Sequence, residues 1–242
     1  MATFDAGRRS SASELMDGDG VDYETFRGCL ADLARVNRLS FGYRPTLAFL
    51  ESLRRRRRLP QRRALRVVDV GSGYGDMLRE IAVWAKSRSI DVDLVGVDSN
   101  PWAEKAAAEA TEAGAPIRFR TEDAFAYRPE EPPDVIVSAL FTHHLGDEAL
   151  ARFIAMTEAE ARIGWFVNDL HRKRFAFHGF ALGSRLLRMH PFVQHDGPVS
   201  FARSFVAEDW RRALAAAGVP AGAAKTEPWF PFRLCVARVK PS

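Results

Sequence analysis

The sequence predicts an α/β fold of the doubly wound type, built on a mostly parallel seven-stranded sheet, and three observations carry that prediction. From Arg66 onward, five short β-branched runs alternate with alanine-rich stretches of helical length. The first run feeds a glycine-rich turn, Gly71-Ser72-Gly73-Tyr74-Gly75. Near the C-terminus the alternation stops, and two adjacent runs read as an antiparallel hairpin closing the sheet edge.

Taken in order, residues 1–20 are rich in Ser, Gly and Asp, the composition of a disordered tail. Residues 21–63 form a helical N-terminal extension: Phe26, Leu30, Leu33 and Val36, then Leu47, Leu50 and Leu53, recur at helical spacing, with a break near Gly42 and Pro45. The α/β domain occupies 64–242. Its strands are expected at 66–70, 92–98, 117–121, 134–140 and 164–170, with helices near 76–87, 101–113 and 147–161. Right-handed crossovers place the loops after these strands along one ligand-binding edge. An apolar segment at about 172–205, interspersed with arginines, reads as a helical cap inserted after the fifth strand, with His195-Asp196-Gly197-Pro198 as a turn at its mouth. A helix near 207–217 precedes the hairpin, which turns around Pro231.

Composition narrows the class. The 242 residues leave room for one α/β domain with an insertion, and 47% hydrophobic with 27% charged residues describe a soluble globular chain. The opening residues lack the apolar core of a secretory signal and no apolar run reaches membrane-spanning length, so a cytoplasmic location is expected. Cys29 and Cys235, far apart and without metal or redox spacing, read as two reduced thiols. The net charge of +4 is local: without the seven arginines at 54–58, 62 and 63 it becomes −3. No aromatic residues are interleaved with that run to stack bases, so nucleic acid is not the expected partner, although peripheral membrane contact through the run or the apolar cap stays open.

The glycine turn is the chemical signal. Glycines at 71 and 73 permit a tight turn and close approach of a ligand to the backbone. Asp98, ending the second run, stands where a carboxylate can accept both ribose hydroxyls. A dinucleotide fingerprint fails because Asp76 occupies the place of its third glycine. Asp69, two residues before the turn, disfavours a pyrophosphate and suits a cationic ligand.

With these residues the sequence resembles the class I S-adenosylmethionine-dependent methyltransferases, over roughly residues 64 to 170 and the closing hairpin. The resemblance implies S-adenosyl-L-methionine as cofactor and S-adenosyl-L-homocysteine as product. It implies that Asp69, Gly71, Ser72 and Gly73 hold the methionine part, and that Asp98 and Ser99 bind the ribose. Asp123 and Ala124 would meet the adenine, and Ser138 and Ala139 would line the cofactor and acceptor sides together.

Methyl transfer from a sulfonium requires alignment of the acceptor, and a phenolic acceptor, with a pKa near ~10, benefits from a positioned base. His144 is the first candidate, His143 the second, both in the loop after the fourth strand; His171, after the fifth, is the third, and Asp169 could orient a histidine. Arg38 or Arg44 could reach the cofactor carboxylate. No His, Cys, Asp and Glu residues show metal-ligand spacing, so no metal is expected. The expected function is methyl transfer to a small lipophilic aromatic, polyketide or quinone-type acceptor, most simply at oxygen. An RNA or protein methyltransferase and a non-catalytic S-adenosylmethionine-binding module are the alternatives.

Overall fold

A computed structural model describes residues 4–18 and 21–241. Strands β1 (Leu65–Val70), β2 (Val92–Asp98), β3 (Ile117–Thr121), β4 (Val135–Ala139) and β5 (Gly164–Leu170) run parallel. β6 (Ala224–Trp229) and β7 (Arg233–Val239) form the expected antiparallel hairpin, with β7 inserted beside β5. The sheet order is β3-β2-β1-β4-β5-β7-β6. The chain moves outward from β1 to β3 and then returns to β4, so the order reverses between β1 and β4. In open α/β sheets a crevice for ligands forms at that reversal.

Two cores follow from the alternation of side chains along each strand. Val67 and Phe166 point into one, shared with α2 (Arg44–Arg55) and α3 (Asp76–Lys86). Val68, Trp165 and Val167 point into the other, shared with α5 (Asp147–Glu160) and α8 (Ala207–Ala216). Leu78 and Ile81 of α3 are fully buried, and each such side chain contributes about 1.5–3 kcal/mol. On the ligand edge, α1 (Tyr23–Leu39) sets Phe26 and Leu30 against Ala103 and Ala106 of α4 (Pro101–Glu109). Asn100 caps α4 by accepting from the Trp102 N–H at 2.9 Å, and Pro101 fits its first turn. α1 is thereby fixed over the ends of β1 and β2.

The region between β5 and α8 forms two helices, α6 (Arg174–Leu186) and α7 (Pro191–Arg203). Here the structure corrects the turn expected at residues 195–198, which lie inside α7. Gly197 serves a close helix crossing: a Cβ there would sit 1.9 Å from the Phe180 ring of α6. His195 bonds its neighbour Asp196 and stays partly exposed.

The first residues also differ from the expectation of a disordered tail. Residues 4–18 lie along α7 and the loop after β4; residues 1–3 and 19–20 of the expected tail lie outside the described residues. Phe4 packs on Phe177, and Ser10 N–H donates to Ala202 O. The Asp196 carboxylate accepts the Leu15 and Met16 N–H groups at 2.7 and 3.0 Å. Arg9 donates to the carbonyls of Arg203 and Leu145 and lies over the Phe205 ring. Composition counts few apolar residues in this stretch and is blind to backbone groups that find partners far along the chain.

The arginine run is largely occupied within the fold. Arg54 and Arg55 pair with Glu51, Arg58 donates to Lys240 O, and Arg63 makes a two-pronged ion pair with the buried Asp134. Both cysteines are free thiols and buried. Among the described residues no helix is long and apolar enough to cross a membrane.

Candidate active site

A cavity of about 960 Å³ opens at the β1–β4 reversal and runs from the glycine turn to the histidine pair. Gly71, Gly73, Asp98, Ser99, Asp123 and Ala124 lie on its wall. Gly71 (φ +71°) has no room for a side chain, because a Cβ would meet the Phe141 ring at 2.5 Å. Gly73 (φ +47°) is different: a Cβ would have only Leu30 Cδ2 nearby, at 3.8 Å. The space above Gly73 is therefore open to the cavity. Asp98 holds the turn, its Oδ2 accepting the Gly73 N–H at 2.9 Å and its Oδ1 the Asn100 N–H at 3.0 Å. Asp123 Oδ1 caps its own loop by accepting from Phe125 N–H.

Asp69, Ser72, Ser138 and Ala139, also expected to hold the cofactor, sit off the wall. Ser138 is buried and its hydroxyl donates to Val70 O, tying β4 to β1. Ala139 packs into the core beside α2 and α3, and Ser72 is buried against Gly96. Leu140 and Phe141, one step further along, line the cavity instead. Leu140 holds φ +57°, a strained conformation for a leucine, and this bend swings the following residues toward the cavity.

Among the described residues, three buried side-chain polar atoms lack a partner: Asp69 Oδ1, Trp210 Nε1 and Arg233 Nη1. Two of them concern the cofactor end. Asp69 is buried below the glycine turn; burial, then the charges of Asp76 and Asp98, push its carboxyl well above the ordinary value. Arg233 lies on the cavity wall, its Nη2 donating to Asn37 Oδ1 at 2.6 Å, and burial lowers its pKa. The partnerless Asp69 oxygen and the partnerless Arg233 Nη1 each carry a desolvation cost that a ligand group of complementary charge would offset. S-adenosylmethionine has both complements, an ammonium and a carboxylate, so the residues present fit it. Arg233, at the start of β7, lies where no local sequence signal marks it. Arg38 and Arg44 turn elsewhere, to Glu80 and to the Phe41 ring.

The acceptor end is built around a short 3-10 helix, Thr142–His144. Asp169, fully buried at the end of β5, accepts from the Thr142 hydroxyl, the His143 N–H and His143 Nδ1, the last at 2.7 Å. Glu14 arrives from the N-terminal segment. Its Oε1 is 3.5 Å from His143 Nε2 and accepts from the Ser200 hydroxyl at 2.8 Å, while its Oε2 is 3.9 Å from His144 Nε2. Burial alone would lower the His143 pKa, but Asp169 and then Glu14 outweigh it and hold it up at about 9. Burial would raise Glu14, yet hydrogen bonding and charge from His143, then His144, bring it to about 2. Without a ligand at neutral pH, His143 is thus a cation between two carboxylates. His144 is less enclosed and lies on the cavity wall.

His171 is not brought to the cavity. Its N–H donates to Phe232 O in a bridge beside Phe205, and burial, then Lys173 and Arg172, lower its pKa to about 4. Asp169 does orient a histidine, but that histidine is His143. Glu14 was missed because its partners lie at the other side of the fold, and the same distance hid the grouping of Glu14, His143 and His144 as potential metal ligands.

Comparison with known proteins bears on the family and the fold. Residues 67–160 match the family model described as a methyltransferase domain. Residues 67–160 thus carry a methyltransferase domain of the class I S-adenosylmethionine-dependent kind. No curated protein matches the sequence. Among solved structures, the plantazolicin methyltransferase BpumL in complex with SAH superposes with a TM-score of 0.64 at 13% identity, covering 90% of this chain and 96% of that one. The magnesium protoporphyrin IX methyltransferase ChlM from Synechocystis PCC 6803 gives 0.56 at 17% identity, covering 93% and 91%. The CMeT domain of the citrinin polyketide synthase gives 0.57 at 16% identity, covering 81% and 52%. At these identities the likeness establishes the shared fold.

Proposed function

We propose that this methyltransferase acts on a small lipophilic acceptor of the phenol, polyketide or quinone-precursor type, and that it methylates oxygen. The observation that carries the reading is the continuity of the cavity. Its cofactor end passes without a partition into a chamber walled by Leu140, Phe141, Leu170, Phe180, Phe201 and Phe232, with the histidine pair on one side. A volume of about 960 Å³ lies near the top of the ~300–1,000 Å³ range of small-molecule sites, which leaves room for an acceptor beside a cofactor. BpumL and ChlM, which share the fold, are named for small-molecule acceptors.

S-adenosylmethionine, when bound, supplies an electrophilic methyl group on a sulfonium. In this reading Gly73 gives it backbone contact, Asp98 and Ser99 take the ribose, and Asp123 and Ala124 meet the adenine. Asp69 answers the ammonium and Arg233 the carboxylate. The apolar chamber holds the aromatic acceptor and excludes water, which favours in-line alignment. His144 takes the acceptor's hydroxyl proton, a contribution of about 10²–10⁴-fold. His143, already protonated between Asp169 and Glu14, stabilises the developing phenolate.

The test is a transfer screen with methyl-labelled S-adenosylmethionine against phenols, quinols, polyketide pyrones and bulk RNA. Label on a lipophilic phenol or quinol is the expected result. Label confined to RNA would overturn the small-molecule reading and favour the nucleic-acid alternative.

A further inference from the structure

The three groups at the acceptor end share a geometry that ion pairing alone does not require. One ligand atom each of Glu14, His143 and His144 lies within 4.8 Å of the others, and His143 Nε2 and His144 Nε2 are 3.5 and 3.9 Å from the Glu14 oxygens. Ligand atoms at ~2.1 Å from a tetrahedral cation are separated by roughly 3.4 Å, so small movements would bring these into a first coordination shell. Two histidines and a glutamate are a recurring catalytic zinc set, with the fourth position left to water or substrate.

We propose that Glu14, His143 and His144 bind a divalent first-row cation of the zinc type at the acceptor end of the cavity. A second observation points the same way. His143 engages Asp169 through Nδ1 at 2.7 Å, leaving Nε2 toward Glu14. A metal-ligating histidine almost always gives its other nitrogen to a carboxylate in this manner, which fixes the ring and raises its basicity. Asp169 is itself anchored by the Thr142 hydroxyl and the His143 N–H. On the carbonyl side, Arg9 and Arg203 hold the His143 and His144 oxygens, so the peptide carrying both rings is clamped from both directions. The cation also answers the charge, since Glu14 and Asp169 are two enclosed carboxylates.

The inference rests on the proposed function only for what the ion does. The acceptor hydroxyl would take the open position as the acceptor enters, and the ion would lower its pKa so that its proton is lost to solvent before the chamber closes around it. An oxygen electron pair then forms the O–CH₃ bond while the S–CH₃ pair stays on sulfur. His143 would release its Nε2 proton to solvent on binding the ion, which then takes over stabilisation of the phenolate, and His144 would anchor the ion and no longer need to carry the acceptor's proton. Ion binding would also fasten the N-terminal segment across the chamber through Glu14.

The experiment is a Co²⁺ titration of the untagged, chelator-stripped full chain, without cofactor or acceptor, read by visible absorption and by metal analysis after desalting. The expected result is one equivalent of Co²⁺ with histidine-ligated absorption bands, displaced by Zn²⁺. Asp169→Asn should weaken binding about 10–100-fold, and Glu14→Gln and His144→Ala more than that. Thermal melts check that each variant folds, and either of the last two suffices. No stoichiometric uptake by the wild-type chain, or wild-type affinity in a folded Glu14→Gln or His144→Ala variant, would overturn the proposal. Calorimetry with S-adenosylmethionine on the same stripped sample separates the two readings: cofactor binding without Co²⁺ uptake refutes the metal site alone.

Discussion

Replacing Asp69 by asparagine sets binding against stability in a single position. The side chain keeps its shape and loses its charge. Its Oδ1 is buried without a donor, and burial together with Asp76 and Asp98 disfavours ionisation. If the carboxylate answers the cofactor ammonium, the lost charge-assisted hydrogen bond is worth about 1.5–3 kcal/mol. At ~1.4 kcal/mol per tenfold, cofactor affinity should fall about 10–150-fold. The ligand-free protein should move the other way. The amide is no better satisfied than the carboxyl, so the gain comes only from removing a buried ionisable group near Asp76 and Asp98, and we expect it to be about 1 kcal/mol. That is a Tm rise of about 2–4 °C for a chain this size. The pH dependence has a definite sign. The folded carboxyl binds its proton more tightly than the unfolded one, so stability falls as pH rises from the ordinary value of ~3.9 through the raised folded value. Asp69→Asn removes that slope. Calorimetry with S-adenosylmethionine and with adenosine, which lacks the amino-acid end, supplies the control, and Arg233→Gln should show the same selectivity. An equal loss for both ligands, or unchanged S-adenosylmethionine affinity with no gain in Tm, would refute the reasoning.

Gly73→Ala should weaken cofactor binding while costing only about 1 kcal/mol of stability, since its Cβ enters ligand space at positive φ. Gly71→Ala, forced into the Phe141 ring, should cost clearly more, and thermal melts beside cofactor titrations compare the two. His171→Gln should flatten the stability profile between pH 6.5 and 4. The folded imidazole resists protonation down to about 4 whereas the unfolded one titrates near ~6.5, so wild-type stability falls as pH drops through that window; melts at stepped pH check it. Asp134→Ala removes the buried partner of Arg63 and of the Arg66 N–H, a loss of about 2–3 kcal/mol measurable by urea unfolding. Arg56→Ala, in the same basic run, should stay within ~0.5 kcal/mol.

What could be read from the sequence was local. The β2 and β5 runs, the glycine turn and the carboxylates after β2 and β3 each lie within a few residues of the pattern that reveals them. The sheet follows because short strands alternating with helices have few ways to pack. The acceptor end is different. Asp169 reaches His143 through the pairing of β4 with β5, Glu14 through a segment whose composition argues for disorder, and Arg233 through the insertion of β7 beside β5. None of these meetings leaves a periodicity or spacing along the chain. The reading at 195–198 failed for a related reason: glycine and proline mark turns by local preference, yet Gly197 is shaped by the Phe180 ring of another helix. Ser138 went astray by register, since the strand end turns its hydroxyl to Val70 and gives the cavity to Leu140.

Residues 4–18 leave the ribosome well before the surfaces that hold them, for Arg9 and Ser10 bind carbonyls at 203 and 202 and Leu15 binds the carboxylate at 196. At ~5–20 residues per second that interval is on the order of ten seconds or more. In the later part of it the glycine turn can already be formed on the nascent chain, while the acceptor chamber still lacks the wall that Glu14 supplies. The acceptor end can therefore close only after α7 has emerged and the earlier segment folds back over it, and a translation arrest inside α6 would leave that end open and unselective.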